Sequence, residues 1–228
     1  MIPALIIWLY KKYASRVFNN LRIVRSPVTG KKKAIRKVAI ILFAIGYPLL
    51  SFSQERKLVY QVIHNGNHIG EMQFFQKISG QDLYLNMDSD VKAKFIFPIH
   101  IQTTDKAHFS DGRLISSDVY RSVNGKEKDL RKTRLVNNNY EVQTGSEIRR
   151  FNKPIDYNMM LLYCLEPINT SQVYSDNFQQ FLSIRKLAKH TYRIHLPNGN
   201  YNDYHFDKGI CRMVIIHQDW YTITMKLV

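Results

Sequence analysis

Short turns at regular intervals constrain this chain more than any other feature of its sequence. Asn-Gly or Asp-Gly pairs, which readily adopt the positive φ angles of two-residue hairpin turns, occur at 65–66, 111–112, 124–125 and 198–199. Further turn signals lie at 80–82, 137–139 and 208–209. Between the turns, apolar and polar residues alternate with period two, as expected for strands with one buried face. This spacing predicts an all-β fold.

The alternation predicts strands over 58–63, 69–78, 83–87, 91–101, 113–123, 129–136, 140–144, 173–187, 191–196, 201–206, 210–217 and 221–227. The longest period-two run is 91–101, in which Pro98 indicates an edge or a bulge. Short strands joined by tight turns are typical of antiparallel sheets, sandwiches and barrels. We therefore expect a strongly curved antiparallel sheet that forms an open barrel with meander topology.

One segment departs from the strand pattern. Between Pro154 and Pro167 the apolar residues follow the spacing of a helical stripe: Ile155, Met159, Leu162 and Tyr163. Asn152 is a plausible cap, Pro154 suits a first helical turn, and Pro167 would end the helix. The pattern predicts one helix near 154–166, with its apolar stripe packed against a face of the sheet.

The segment before the predicted strands has the layout of a secretory signal peptide. Five basic residues between Lys31 and Lys37 precede the uncharged run 38–50, and Ser51-Phe52-Ser53 supplies small residues for cleavage between Ser53 and Gln54. The apolar run is shorter than the ~20 residues that span a bilayer. We expect a leader over 1–53 and a single exported domain over 54–228, in the periplasm or outside the cell. The alternative is an uncleaved inner-membrane anchor with the same domain exported.

The first 27 residues are unusual for a signal peptide, which normally begins near the chain start. No Met lies between Met1 and Met72, so we interpret 1–27 as a start-site artefact with initiation at a codon such as that of Val28. A genuine amphipathic leader on the inner membrane is the competing interpretation.

The net charge of +15 is mostly a property of the leader, because residues 1–53 contain ten Lys or Arg and no Asp or Glu. The remaining domain carries a charge of only about +5. Nucleic acids bind to surfaces on which basic residues are concentrated, so this charge balance argues against a nucleic-acid-binding domain.

The sequence nominates no metal site and no cofactor. Phosphate-binding glycine loops, nucleophile elbows and zinc-binding signatures are absent. His64 and His68 flank a hairpin turn and are interpreted as exposed, since a metal site needs three or four ligands. Cys164 and Cys211 could form a disulfide in an oxidising compartment, although two separate buried thiols are the favoured interpretation.

Three functions remain open from the residues alone. A curved sheet capped by a helix makes a natural apolar cavity, and its expected lining is Met72, Phe74, Phe95, Phe97, Met159 and Tyr163. The leading hypothesis is therefore a non-enzymatic binder or carrier of an apolar or amphipathic ligand. The alternatives are a hydrolase-like enzyme built from Glu166, Tyr174, Ser175 and Asn202, or a structural envelope-interaction domain whose interior is simply packed. The oligomeric state is not predicted.

Four strings carry a resemblance to a known family: YQVIHNGNHIGEM (60–72), FPIHIQTTDKAHFSDGRLISSDVYRSVNGK (97–126), YCLEPINTSQVYSDNF (163–178) and LPNGNYNDYHFDKG (196–209). They resemble a family of secreted domains of unknown function from Bacteroidota. This family implies no activity and no catalytic residues. The chain also resembles, more distantly, periplasmic half-barrel proteins that shield lipids, a similarity that concerns the fold alone.

Overall fold

Fourteen antiparallel strands form one continuous sheet in the computed structural model, which describes residues 53–94 and 98–228. All described residues belong to the unit Ser51–Val228. The strands are β1 (Gln54–His64), β2 (Asn67–Ser79), β3 (Asp82–Lys94), β4 (Pro98–Ser110), β5 (Arg113–Val123), β6 (Lys126–Val136), β7 (Asn139–Thr144), β8 (Glu147–Phe151), β9 (Gln172–Ser175), β10 (Gln180–Ala188), β11 (Thr191–His195), β12 (Tyr201–Asp207), β13 (Ile210–His217) and β14 (Thr222–Leu227).

The strand order follows from the turns. Each strand pairs with its sequence neighbours, except that β8 does not pair with β9, and the last strand pairs with the first. The resulting order is β8-β7-β6-β5-β4-β3-β2-β1-β14-β13-β12-β11-β10-β9. Both central residues have positive φ in several of the predicted hairpin turns, including 65–66, 111–112 and 124–125. This geometry matches the twist of the flanking strands and needs Asn, Asp or Gly. The prediction of an all-β antiparallel sheet is confirmed.

The edge strands of the sheet, β8 and β9, do not pair with each other, so the sheet is not closed by backbone hydrogen bonds. Side chains connect its two ends instead. The Tyr174 hydroxyl hydrogen-bonds the Thr133 hydroxyl at 3.0 Å, and the Gln179 amide donates to the carbonyls of Lys132 and Gln143 at 3.1 and 3.0 Å. The β9–β10 hairpin therefore packs onto β6 and β7.

The inner face of the curved sheet is apolar along most strands. Its most buried large side chains include Tyr60, Met72, Phe74, Phe109, Leu114, Tyr140, Tyr174, Ile194 and Tyr204. Two tyrosines at opposite parts of the sheet place their hydroxyls on backbone carbonyls: Tyr60 donates to Cys211 at 2.7 Å, and Tyr140 donates to Leu114 at 2.8 Å. These bonds satisfy polar groups that burial would otherwise leave unpaired.

The predicted helix over 154–166 is wrong. The segment contains only a single turn of 3-10 helix, Leu161–Tyr163. The Tyr174 amide donates to the Tyr157 carbonyl, and the Met159 amide donates to the Tyr174 carbonyl, each at 2.9 Å. These bonds to β9 hold the backbone before Met160 in an extended form. The apolar residues of the expected stripe are nevertheless buried or part-buried against the sheet.

Two of the predicted strands each correspond to parts of two successive strands in the structure. The run 91–101 comprises the end of β3 and the start of β4, because Lys94 pairs with Pro98. The run 173–187 comprises β9 and β10, which pair through Ser175 and Gln180. No helix within the described ranges, 53–94 and 98–228, is long and apolar enough to cross a membrane.

Candidate functional site

The curved sheet and the segment before β9 surround a cavity of about 460 Å³, here called the inner cavity. Strands β2 to β5 supply one side, and β12 to β14 supply another. The 3-10 turn and the β9–β10 connection complete the lining through residues 159–163 and 175–178. A volume of this size lies within the roughly 300–1,000 Å³ typical of small-molecule sites.

Methionine is the most frequent residue in the lining of the inner cavity. The chain has seven methionines, and five of them contribute to the lining: Met72, Met87, Met159, Met160 and Met225. Methionine has an unbranched, polarisable side chain that adapts to ligands of different shape. The arrangement forms a flexible apolar surface.

A polar wall faces the same cavity from β3, β4 and β5. The pairing register aligns Ser89, Thr103 and Arg121 in one row across these strands, and Met87, Asp105 and Val119 in the adjacent row. Ser89 and Thr103 satisfy each other through a hydroxyl–hydroxyl hydrogen bond of 2.7 Å. The charged residues of the two rows are not satisfied in this way.

Asp105 lies on the inner face of β4. The other residues on this face are apolar or, like Thr103, carry a hydroxyl group. The Oδ1 atom of Asp105 is buried and has no hydrogen-bond partner among the described residues. Burial, followed by repulsion from the nearby Asp176 carboxylate, raises the pKa of Asp105 from 3.8 to about 7, against an opposing effect of Arg121. Such an acid is half-protonated near neutrality.

Asp176 belongs to the turn between β9 and β10 and also lines the cavity. Its Oδ2 atom accepts a hydrogen bond of 2.9 Å from the Asn158 amide. Burial raises the pKa of Asp176 to about 6, against the opposing effects of hydrogen bonding by Ser117 and Asn158. Asn202, on β12, also lines the cavity.

Arg121 is the cationic residue of this wall. Its side chain is part-buried, lines the inner cavity, and forms no hydrogen bond or ion pair with any residue that the structure describes. Other arginines of the inner face are engaged: Arg131 hydrogen-bonds the Asn177 carbonyl and contacts Asp129 at 3.2 Å. Arg121 therefore retains a guanidinium group whose hydrogen-bonding capacity is unused.

Of the six predicted ligand-binding residues, three line the inner cavity, one belongs to the packed core, and two are not described by the structure. Met72, Met159 and Tyr163 line the inner cavity. Phe74 is fully buried beside it, with its ring stacked on that of Tyr163 at a centroid distance of 5.6 Å, so Phe74 belongs to the packed core. Phe95 and Phe97 lie outside the described residues. The predicted cleavage site, Ser53 and Gln54, lies at the start of β1.

The four residues of the enzyme alternative do not converge. Ser175 and Asn202 line the inner cavity, but Glu166 and Tyr174 do not. Glu166 accepts hydrogen bonds from His190 at 2.9 Å and from the Tyr192 hydroxyl at 2.8 Å, which fixes the β10–β11 turn. Tyr174 is fully buried, and its hydroxyl forms a hydrogen bond with the Thr133 hydroxyl. The polar residues that the sequence analysis missed, Asp105, Asp176 and Arg121, occupy the cavity instead.

Both cysteines are free thiols in the structure, which contains no disulfide between Cys164 and Cys211. Burial raises the pKa of each thiol to about 12. His64 hydrogen-bonds the Thr222 carbonyl at 3.0 Å. Across the described residues, no group of three or more His, Cys, Asp or Glu side chains is arranged to hold a metal ion.

A second cavity of about 720 Å³ lies on the other face of strands β1 to β5. Its aromatic side chains are already engaged with neighbours. The rings of Tyr84 and His108 stack at 4.4 Å, His108 hydrogen-bonds Asp82 at 3.0 Å, and the Lys57 ammonium lies 5.0 Å from the Phe75 ring. Because the outer groove lies on the exposed face of the sheet, whereas the inner cavity contains the buried carboxylate of Asp105, we regard the inner cavity as the candidate site.

Comparison with protein families identifies the domain that contains this cavity. Residues 60–228 match the model of DUF6134, a domain of unknown function. The chain belongs to the DUF6134 family. The DUF6134 domain includes every residue that lines the inner cavity, since the lining begins at Val62. The expectation of a family of unknown function is confirmed. No curated protein matches the chain.

A solved structure shares the fold of the DUF6134 domain. It is the crystal structure of a β-barrel-like protein of the domain of unknown function DUF1849 from Brucella abortus. The two are similar with a TM-score of 0.52 and 11% sequence identity, over 78% of this chain and 97% of the other. At this identity the similarity shows a barrel-like fold and carries no function.

Proposed function

We propose that the DUF6134 domain is a non-enzymatic binder or carrier that holds an apolar or amphipathic ligand in the inner cavity. The observation that supports this proposal most strongly is the concentration of five of the seven methionines on the wall of one cavity of about 460 Å³. A recess of this volume with an adaptable apolar wall is suited to a small-molecule ligand.

The remaining lining supports a ligand of mixed character. Ile223 and Ile216 extend the apolar wall, while Asp105, Asp176 and Arg121 form a polar wall. A wholly apolar ligand would leave the polar side chains desolvated at a cost, whereas an amphipathic ligand satisfies both walls.

We also propose that the protein acts in the periplasm or outside the cell. The basic-then-apolar order of residues 31–53 is the basis of this proposal. The position of β1 is compatible with it, because β1 begins at Gln54, directly after the expected cleavage point. N-terminal sequencing of the protein from its native cell envelope tests the proposal. A mature chain starting at Gln54 is the expected result, and retention of residues 31–53 in a membrane fraction would instead indicate the anchor.

Binding of the neutral dye N-phenyl-1-naphthylamine tests the carrier proposal, since its fluorescence rises in an apolar site. We expect saturable binding with one dye per protein. Ile223→Trp fills the inner cavity from β14 and should weaken dye binding at least ten-fold, because the larger side chain occupies the space that the dye needs. Ile148→Trp, at a residue that is 58% exposed on β8, is the matched control and should leave binding unchanged.

Two results would contradict the carrier proposal. The first is an absence of saturable dye binding by the folded wild-type protein. The second is dye binding that Ile223→Trp and Ile148→Trp affect equally, which would place the dye on the surface.

A further inference from the structure

The polar wall of the inner cavity contains one carboxylate and one guanidinium that lack partners. The buried Oδ1 atom of Asp105 has no hydrogen-bond donor, and Arg121 has no acceptor, among the residues that the structure describes. Both line the same cavity. Burying the Asp105 oxygen without a partner is costly, and the part-buried Arg121 guanidinium beside it is free to bind an anion, so we read the pair as the binding site of a ligand that supplies both missing groups.

The sheet register explains why the two residues do not satisfy each other. Thr103 pairs with Arg121, and Asp105 pairs with Val119, so Asp105 and Arg121 are diagonal neighbours on β4 and β5. Diagonal neighbours are separated by roughly 7–8 Å. No ion pair joins the two side chains in the structure, although other cross-strand pairs such as Arg193 and Asp203 do form one, at 2.7 Å. Asp105 and Arg121 are therefore arranged as two separate charged sites in one cavity.

We propose that the ligand of the inner cavity is a single-chain zwitterionic amphiphile whose ammonium group donates hydrogen bonds to Asp105 and whose anionic group accepts them from Arg121. This inference rests on the proposed carrier function. The hydrocarbon chain lies against the methionine wall. Asp176 reinforces the ammonium site, because its carboxylate is close enough to Asp105 to interact with it electrostatically.

Head groups that carry only one charge, or that lack an N–H donor, would interact less favourably with the polar wall. A purely anionic head group would face Arg121 but would be repelled by Asp105 and Asp176. A purely cationic group would leave Arg121 unpaired beside it. A quaternary ammonium has the right charges but no N–H to donate to the Asp105 carboxylate. A volume of about 460 Å³ suits a molecule of drug size, which corresponds to one chain rather than two.

Three lysophospholipids with the same acyl chain separate these head groups when they compete with N-phenyl-1-naphthylamine. Lysophosphatidylethanolamine carries an N–H ammonium, lysophosphatidylcholine carries a quaternary ammonium, and lysophosphatidylglycerol carries no cation. We expect the ethanolamine lipid to bind about ten-fold more tightly than the choline lipid, because a charge-assisted hydrogen bond is lost in the latter. The glycerol lipid should bind more weakly than the ethanolamine lipid by at least the same factor.

Two variants that each remove one charge show which residue contacts which part of the head group. Asp105→Asn should abolish the preference for ethanolamine over choline while leaving binding of the neutral dye unchanged. Arg121→Gln should weaken all three lipids by a similar factor, because each contains a phosphate. Glu71→Gln and Arg185→Gln remove the same charges at exposed residues and serve as controls that should preserve the wild-type preference.

The outcomes distinguish this inference from the carrier proposal. Saturable dye binding together with equal affinity for the three lipids would overturn the zwitterion inference and leave the carrier proposal standing. Unchanged ethanolamine preference in Asp105→Asn would also overturn it. Absence of dye and lipid binding would overturn both.

Discussion

Replacing Asp105 by Asn should stabilise the protein, and the gain should depend on pH. The pKa of Asp105 is raised from 3.8 to about 7, first by burial and then by the neighbouring Asp176 carboxylate. The folded protein therefore binds this proton more tightly than the unfolded chain does. Below about pH 4 the Asp105 carboxyl is protonated in both the folded and the unfolded protein, so it does not lower the free energy of unfolding. As the pH rises towards 7 the unfolded state ionises first, and the stability of the folded state falls.

The magnitude follows from the difference between the two pKa values. A difference of roughly three pKa units, at ~1.4 kcal/mol each, sets a ceiling of about 4 kcal/mol for the stability lost above pH 7. Water that enters the inner cavity screens part of this, so we expect Asp105→Asn to gain roughly 2–4 kcal/mol at pH 8. The gain should shrink towards zero at pH 4.

Urea unfolding of ligand-free protein between pH 4 and pH 8 measures this difference directly. Glu71→Gln removes one carboxylate from an exposed position and should follow the wild-type profile. Parallel pH profiles for the wild type and Asp105→Asn would show that Asp105 does not destabilise the folded protein, and so would a variant that is less stable than the wild type at pH 8. Either result would mean that Asp105 has a polar partner in the folded protein.

Three further predictions concern the scaffold. Gly70→Ala should lower the free energy of unfolding by at least ~1–3 kcal/mol, since its Cβ would lie 2.1 Å from the Asp90 carbonyl oxygen; a neutral effect in urea unfolding would show that the strands can separate there. Tyr60→Phe should cost ~1–3 kcal/mol by leaving the buried Cys211 carbonyl without its donor, and a smaller loss in the same assay would mean that another donor replaces the hydroxyl. The thiols of Cys164 and Cys211 should react slowly with a disulfide reagent at pH 8 and fully in urea, because burial raises both pKa values to about 12; rapid reaction when folded would contradict this.

Much of the fold was accessible from local sequence signals. The turn pairs at 65–66, 111–112 and 124–125 lie at the predicted hairpins, because few residues other than Asn, Asp and Gly tolerate two successive positive φ angles. The alternation between them placed most strands correctly. The pairing of β1 with β14 has no local signal and depends on the whole chain.

The prediction of one strand over 91–101 failed for a geometric reason. The run kept its alternation from β3 into β4, because paired residues such as Val91 and Ile101 face the same side and both are apolar. Period two therefore continued across two strands. The presence of Pro98 was the correct signal, but we interpreted it as an edge or a bulge.

The helix prediction failed because it considered only the segment itself. Ile155, Leu162 and Tyr163 have helical spacing and are buried, as an amphipathic helix would require. Bonds from Tyr157 and Met159 to Tyr174 override this local preference. Tertiary contacts of this kind are invisible in a helical pattern.

The candidate site was only partly accessible. Met72, Met159 and Tyr163 were named as cavity residues and line the inner cavity. Met160 was missed because it does not belong to the predicted helical stripe, and Met87 and Met225 were also missed. One signal for the polar wall was present. The inner face of β4 reads Ile101, Thr103, Asp105, Ala107 and Phe109, and a carboxylate among apolar positions of one strand face indicates a buried functional group.

Native mass spectrometry of the protein, purified from its native cells without detergent, is the decisive measurement of ligand binding in the inner cavity. We expect a fraction of the protein to carry one small amphipathic molecule, which organic extraction releases and identifies. The Ile223→Trp variant should lack this added mass, and Ile148→Trp should retain it. A wild-type protein that shows only the mass of the polypeptide, and that takes up no lysophospholipid when one is added, would contradict the claim that the inner cavity holds a ligand.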